Sequence, residues 1–192
     1  MLDHALRSMK EYSRLQTTIA NIPYAAMALL GAATIACGFT YSPWALASAG
    51  GYVAYAIAGT VWTMVFICPY CAYYATRGCP CGYGTISARL VRKGERDCFP
   101  EKFRRHIPVI VPLWLIPVVA GGVALWVSFS WWLTGLVAAF AINAYVILPL
   151  VSKKHSCTEC PQKDTCPWMG TGVSARDAAP CASPVRQSGQ SK

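Results

Sequence analysis

The sequence predicts an all-α integral membrane protein, a four-transmembrane-helix bundle with a cysteine-rich cap on its cytoplasmic side. Three observations predict it. Residues 15–76 and 107–152, runs of 62 and 46, contain no Asp, Glu, Lys, Arg or His. A membrane-crossing helix needs about 20 apolar residues, so each run holds two spans and a turn. Nine of the ten cysteines lie in the charged segments or, for Cys68 and Cys71, just before one. The composition is 55% hydrophobic and 13% charged, with a mean hydropathy of +0.36, and shows no separate water-soluble domain. Helix on helix inside lipid is the core such a chain can build, because each span satisfies its own backbone hydrogen bonds.

In chain order, residues 1–22 read as an amphipathic interfacial segment. Leu2, Leu6, Met9 and Tyr12 share a helical face, with Asp3, Arg7, Lys10 and Arg14 beside it. A first transmembrane hairpin, 23–76, holds spans at about 23–41 and 50–67, the second continuing toward Tyr74; Pro23 suits a first helical turn. A basic cysteine-containing cytoplasmic loop, 77–106, follows. In the second hairpin, 107–152, the third span carries Pro108, Pro112 and Pro117, then Gly121 and Gly122, a pattern expected to kink the helix and admit a close neighbour. The fourth span covers about 131–151 and contains Asn143, which is expected to bond across helices. Trp44 and the run Ser128-Phe-Ser-Trp-Trp132 mark the two outer turns, and Tyr70, Tyr73 and Tyr74 are expected to form an aromatic belt at the inner interface. The tail, 153–192, carries cysteines first and becomes disordered from about Gly170, where Ser, Ala, Pro, Gly and Gln dominate.

All 17 Lys and Arg lie in the N-terminal segment, the middle loop or the tail, and neither outer turn has one. The positive-inside rule therefore predicts an inner-membrane protein with both termini and the middle loop in the cytoplasm. That topology, with attraction to anionic headgroups, also accounts for the net charge of +9, and no nucleic-acid motif accompanies it, so no nucleic-acid partner is expected.

On this topology two cysteine groups meet at one membrane surface. The first is Cys68-Pro-Tyr-Cys71 with Cys79-Pro-Cys81-Gly-Tyr-Gly84; the second is Cys157-Thr-Glu-Cys160-Pro with Cys166-Pro-Trp-Met169. Thiols in a reducing compartment stay reduced, so metal ligation is favoured over a disulfide framework. C-x-x-C spacing lets two thiolates converge, and the Pro and Gly turns expose amides that can bond ligand sulfurs. Cys68, Cys79, Cys160 and Cys166 are each followed by Pro, as the final cysteine of bacterial ferredoxin runs is, which favours an iron-sulfur cluster of the 4Fe-4S type over the alternative, zinc. The simplest partition gives Cys68, Cys71, Cys79 and Cys81 to one site. It gives Cys157, Cys160, Cys166 and one of Cys98, Cys181 or His155 to the other; exchange between groups, or one composite centre, is the competing arrangement. Cys37, among Ala, Gly and Ile of the first span, is assigned to packing.

Cys68-Pro-Tyr-Cys71 is identical in residue type to the active-site tetrapeptide of glutaredoxins. The resemblance covers four residues, and the absence of a βαβ pattern excludes a glutaredoxin fold. The chain is also comparable with four-helix thiol oxidoreductases resembling DsbB or vitamin K epoxide reductase, which place Cys pairs near a quinone; here the predicted side is opposite to that needed for disulfide export. His4, His106 and His155 all fall outside the spans, so no histidine pair offers b-type haem ligation, and no charge within a span marks an ion path. The resulting expectation is a membrane redox protein moving electrons between a soluble partner and a membrane subunit or carrier, with a quinone as candidate acceptor. The alternatives are a zinc-stabilised membrane scaffold, a quinone-linked thiol oxidoreductase and a thiol-based metal transporter.

Overall fold

The computed structural model describes residues 11–39, 42–158 and 160–169, and all regular structure among them is helical. Four helical segments are long and apolar enough to cross a membrane: Arg14–Gly38, Pro43–Tyr70, Arg96–Val127 and Trp131–Lys154. Their outward faces expose Ile22, Leu29, Ile57, Val119 and Val123, side chains suited to hydrocarbon, while Trp44, Trp126, Trp131 and Trp132 are exposed near the outer turns.

Helix α1 (Arg14–Gly38) begins in a capping box: Gln16 N–H donates to Ser13 Oγ at 3.3 Å, and Ser13 N–H donates to Gln16 Oε1 at 3.0 Å. The box extends the first span back to Arg14, so residues 14–22 continue that helix instead of forming a separate interfacial segment; residues 1–10 lie outside the described residues. Helix α2 (Pro43–Phe66) opens on Ser42, which accepts from Ala45 N–H at 3.2 Å, with Pro43 in the first turn. Two short helices follow in the loop, α3 (Tyr83–Leu90) and α4 (Phe99–His106). Helix α5 (Pro112–Val127) continues the third span after a 3₁₀ turn at Ile107–Ile110, and α6 (Trp131–Ile142) opens the fourth. The fourth span then alternates a π turn (Asn143–Ile147), α7 (Leu148–Val151) and a second π turn (Ser152–Cys157). Pro149 lacks the N–H an α-helix would use there, a recognised cause of such irregularity.

The prolines of the third span leave carbonyls that other groups satisfy. Pro117 removes the donor that would reach Leu113 O, and Tyr52 Oη donates to that oxygen at 2.8 Å instead. Pro112 does the same to Pro108 O, which accepts from Val111 N–H at 3.3 Å; Tyr55 Oη bonds Val109 O. Hydrocarbon offers no water as a substitute. Tyr52→Phe, which keeps the ring and deletes only the donor, is expected to cost about 1–2 kcal/mol in reversible unfolding from mixed micelles. An unchanged midpoint would mean that Leu113 O does not depend on this bond.

Close packing sorts the two neighbouring glycines of α5. A Cβ at Gly121 would lie 2.4 Å from Val137 Cγ2 and 2.9 Å from Thr34 Cγ2, whereas one at Gly122 meets nothing within 4 Å. The first admits α1 and α6; the second faces outward. At the centre Phe140 and Ala144 are fully buried with Tyr52, Leu113 and Leu148. Asn143 is buried beside them and donates from Nδ2 to Pro23 O at 2.9 Å, the interhelical bond expected of it, made to the first span.

Candidate functional site

Each cysteine motif folds into tight turns. N–H groups of Cys71, Gly82, Cys160, Lys163 and Met169 donate to the carbonyls of Cys68, Cys79, Cys157, Cys160 and Cys166 over 3.0–3.2 Å. Pro69, Pro80, Pro161 and Pro167 occupy the second position of four of these turns, where a φ fixed by the ring is already suitable. The repeated Cys-Pro pair therefore has a local cause that holds whatever the thiols bind.

The fold joins the two groups. Cys68 lies within electrostatic reach of Cys71, Cys79 and Cys81, while Cys71 also reaches Cys160 and Cys166, and Cys81 reaches Cys157. Cys157, Cys160 and Cys166 are mutual neighbours. Seven free thiols thus form one connected set drawn from both segments. Among the described residues, no three His, Cys, Asp or Glu side chains are arranged to hold a single metal ion.

Gln162 clasps the tail to the loop. Its Oε1 accepts from Ala72 N–H at 2.7 Å, and its Nε2 donates to Tyr70 O at 3.3 Å and Arg96 O at 3.2 Å. Trp168 adds an edge-to-face contact with Trp114 at the start of α5. On the other side Asn21 Nδ2, from α1, donates to Cys81 O at 3.1 Å, Tyr83 shares a hydrogen bond with Thr60, and Ser87 Oγ donates to Met64 O at 2.7 Å. The loop therefore folds back along α1 and α2. Nothing in the spacing of the sequence singles out Gln162 or Asn21; both act through contacts remote in the chain.

Sulfur accepts hydrogen bonds in both segments. Gly84 N–H donates to Cys79 Sγ at 3.4 Å, Tyr73 N–H to Cys71 Sγ, and Gln162 N–H to Cys160 Sγ. The Tyr73 hydroxyl also donates to Cys160 Sγ. Tyr73 is therefore buried within the site, not in the expected aromatic belt. The reversal that turns it inward includes Ala75 at φ 61°, a left-handed conformation costing an L-residue about 1–2 kcal/mol, with Ala75 N–H bonded to Gly84 O at 3.1 Å. Tyr70 also turns inward, with the Cβ position of Gly94 2.3 Å from its ring and Lys102 Nζ 5.6 Å from the ring centroid. Tyr74 Oη donates to Val91 O at 2.7 Å.

Burial pushes the thiols of Cys71 and Cys81 up to about 12 and that of Cys157 up to about 11, with neighbouring cysteines adding to each; Cys160 is raised by the same burial. Such thiols are protonated at neutral pH and poor nucleophiles. Cys98 is buried immediately before α4 and is not among the free thiols. Cys181 and the side chain of His155 lie outside the described residues. Cys37 remains a half-buried free thiol in α1.

Comparison with protein-family models, with curated proteins and with solved structures gives no significant match.

Proposed function

We propose that Cys68, Cys71, Cys79, Cys81, Cys157, Cys160 and Cys166 supply the ligands of one or two iron-sulfur clusters, of the 4Fe-4S type, in a membrane electron-transfer protein. The observation that carries this reading is the single connected set of seven thiols, with sulfurs in both segments accepting N–H or O–H donors. Hydrogen bonds to sulfur offset thiolate charge and tune a cluster's potential. A thiol-disulfide exchange enzyme is less well supported, because attacking thiols are exposed and hold a low pKa, whereas burial raises these. A single zinc ion takes four ligands, and the connected set holds seven free thiols, more than one zinc ion uses.

The clusters would exchange electrons with a soluble partner and with a membrane subunit or quinone. In the quinone case, two successive one-electron transfers, from two reduced clusters or from one cluster re-reduced between them by the soluble donor, together with two protons from solvent, would convert quinone to quinol. Anaerobically reduced protein in nanodiscs is expected to be reoxidised by a short-chain quinone in parallel with quinol formation. A stable reduced signal in excess quinone would remove quinone as acceptor and leave a protein partner.

We assign the thiol side and both termini to the cytoplasm of the inner membrane, because the turns at the opposite end contain no Lys or Arg. Cysteines introduced at Arg89 and Lys163, in a background with reactive native thiols masked, should label from inside. Those at Ser48 and Ser130 should label from outside. Labelling of Arg89 and Ser130 positions from one side would defeat the four-span topology.

A further inference from the structure

Tyr73 is placed to act on both cysteine segments at once. Its backbone N–H donates to Cys71 Sγ, and its side-chain hydroxyl donates to Cys160 Sγ. These thiols come from segments almost 90 residues apart and are electrostatic neighbours. The side chain is 8% exposed, so water competes little for its hydroxyl. Its carbonyl accepts from Thr76 N–H at 3.2 Å and Thr76 Oγ1 at 3.0 Å, which fixes the peptide following Tyr73. A Cβ at Gly84 would approach that same oxygen to 2.3 Å, so α3 closes directly on it. A buried phenol held this way has a fixed donor direction and offers its proton to a sulfur of the other segment.

We infer that Tyr73 is a positioning residue that couples Cys71 and Cys160 and sets the reduction potential of the centre they ligate. The inference rests on the iron-sulfur reading. A donor to a ligand sulfur withdraws electron density, and it stabilises the reduced centre, which carries one more negative charge, more than the oxidised one. The step is a single electron from a chemical reductant such as dithionite to the cluster, with no bond or proton transferred at Tyr73. Removing the phenolic donor therefore lowers the potential, and strengthening it raises the potential. The backbone donor to Cys71 is unaffected by either change.

The test is a redox titration of the full chain, purified anaerobically in detergent, as wild type, as Tyr73→Phe and with 3-fluorotyrosine at position 73. Iron and sulfide are quantified in each sample. The expected result is equal cluster content, a midpoint shifted negative in Tyr73→Phe, and one shifted positive with the more acidic fluorinated phenol. Tyr74→Phe, whose hydroxyl bonds Val91 O instead of a sulfur, is expected to titrate as wild type. If Tyr73→Phe does not assemble, the fluorotyrosine protein, which retains the packing, decides alone. Equal midpoints at equal cluster content would overturn the role of Tyr73 and leave the iron-sulfur reading standing. A wild-type protein without iron and sulfide would overturn both, and is recognised before any variant is compared.

Discussion

On the iron-sulfur reading, Cys71→Ser is expected to remove most of the bound metal. Cys71 is one of two loop thiols that reach the tail, the other being Cys81, and lies within reach of Cys79 on one side and of Cys160 and Cys166 on the other. A serine hydroxyl at neutral pH is a poor replacement for a thiolate, and a lost ligand destabilises the fold that metal binding supports. Cys37→Ser is the matched control and is expected to keep full metal content. Wild-type metal content in Cys71→Ser would exclude Cys71 as an essential ligand. The pH dependence has a definite sign. In metal-free protein Cys71 and Cys81 are held near about 12 and Cys157 near about 11, against about 8.5 for an exposed thiol. The folded state binds those protons more tightly than the unfolded chain, so metal-free stability is full below about pH 8.5 and declines as pH rises toward 11–12. Metal binding displaces the same protons, so apparent affinity rises with pH. Metal-free unfolding midpoints that increase from pH 8 to pH 10 would contradict the burial of these thiols.

Gly84→Ala is expected to open the thiol site while leaving the bundle folded. The new methyl would stand 2.3 Å from Tyr73 O and 3.3 Å from Cys79 Cβ, and the oxygen is backbone, without a rotamer to move. Overpacking of this kind costs about 1–3 kcal/mol, and relief means displacing α3 from the turn that carries Tyr73. The N–H bond from Gly84 to Cys79 Sγ and the Tyr73 bonds to Cys71 and Cys160 would be disturbed together. Reduced metal content with unchanged helicity is the expected result. Gly122→Ala supplies the contrast: its Cβ meets nothing within 4 Å, and it should leave metal content unchanged. Equal metal content in both variants would mean that α3 does not hold the site closed.

The spans were legible because uncharged runs of 62 and 46 residues each fit two membrane-crossing helices, whereas the kink expected from the prolines of the third span takes the form of a 3₁₀ turn before α5, which runs on through Pro117. The start of α1 was harder to read, since Ser13 and Gln16 form a capping box inside a segment whose charges suggested a surface helix. Gly121 and Gly122 are equivalent by composition, but one helical step of about 100° turns only the first toward α6 and α1. The seven cysteines were legible as candidates, because C-x-x-C and Cys-Pro pairs are local patterns. That the two groups lie at one surface was also legible from the topology; the particular contacts were not, because those between Cys71 and Cys160, or between Gln162 and Ala72, depend on where four helices end. Tyr73 was misread for the same reason. Aromatic residues at a helix end usually favour the interface, but the reversal through Ala75 carries this one inward, against sulfur.

The most direct measurement is quantification of iron, acid-labile sulfide and zinc in the full-length protein purified without oxygen, alongside its visible absorption. The expected result is iron and sulfide in equal amounts, at four or eight of each per chain, with a broad cluster absorption that bleaches on reduction. Stoichiometric zinc in a colourless protein, or seven metal-free thiols, would contradict an iron-sulfur centre at this site.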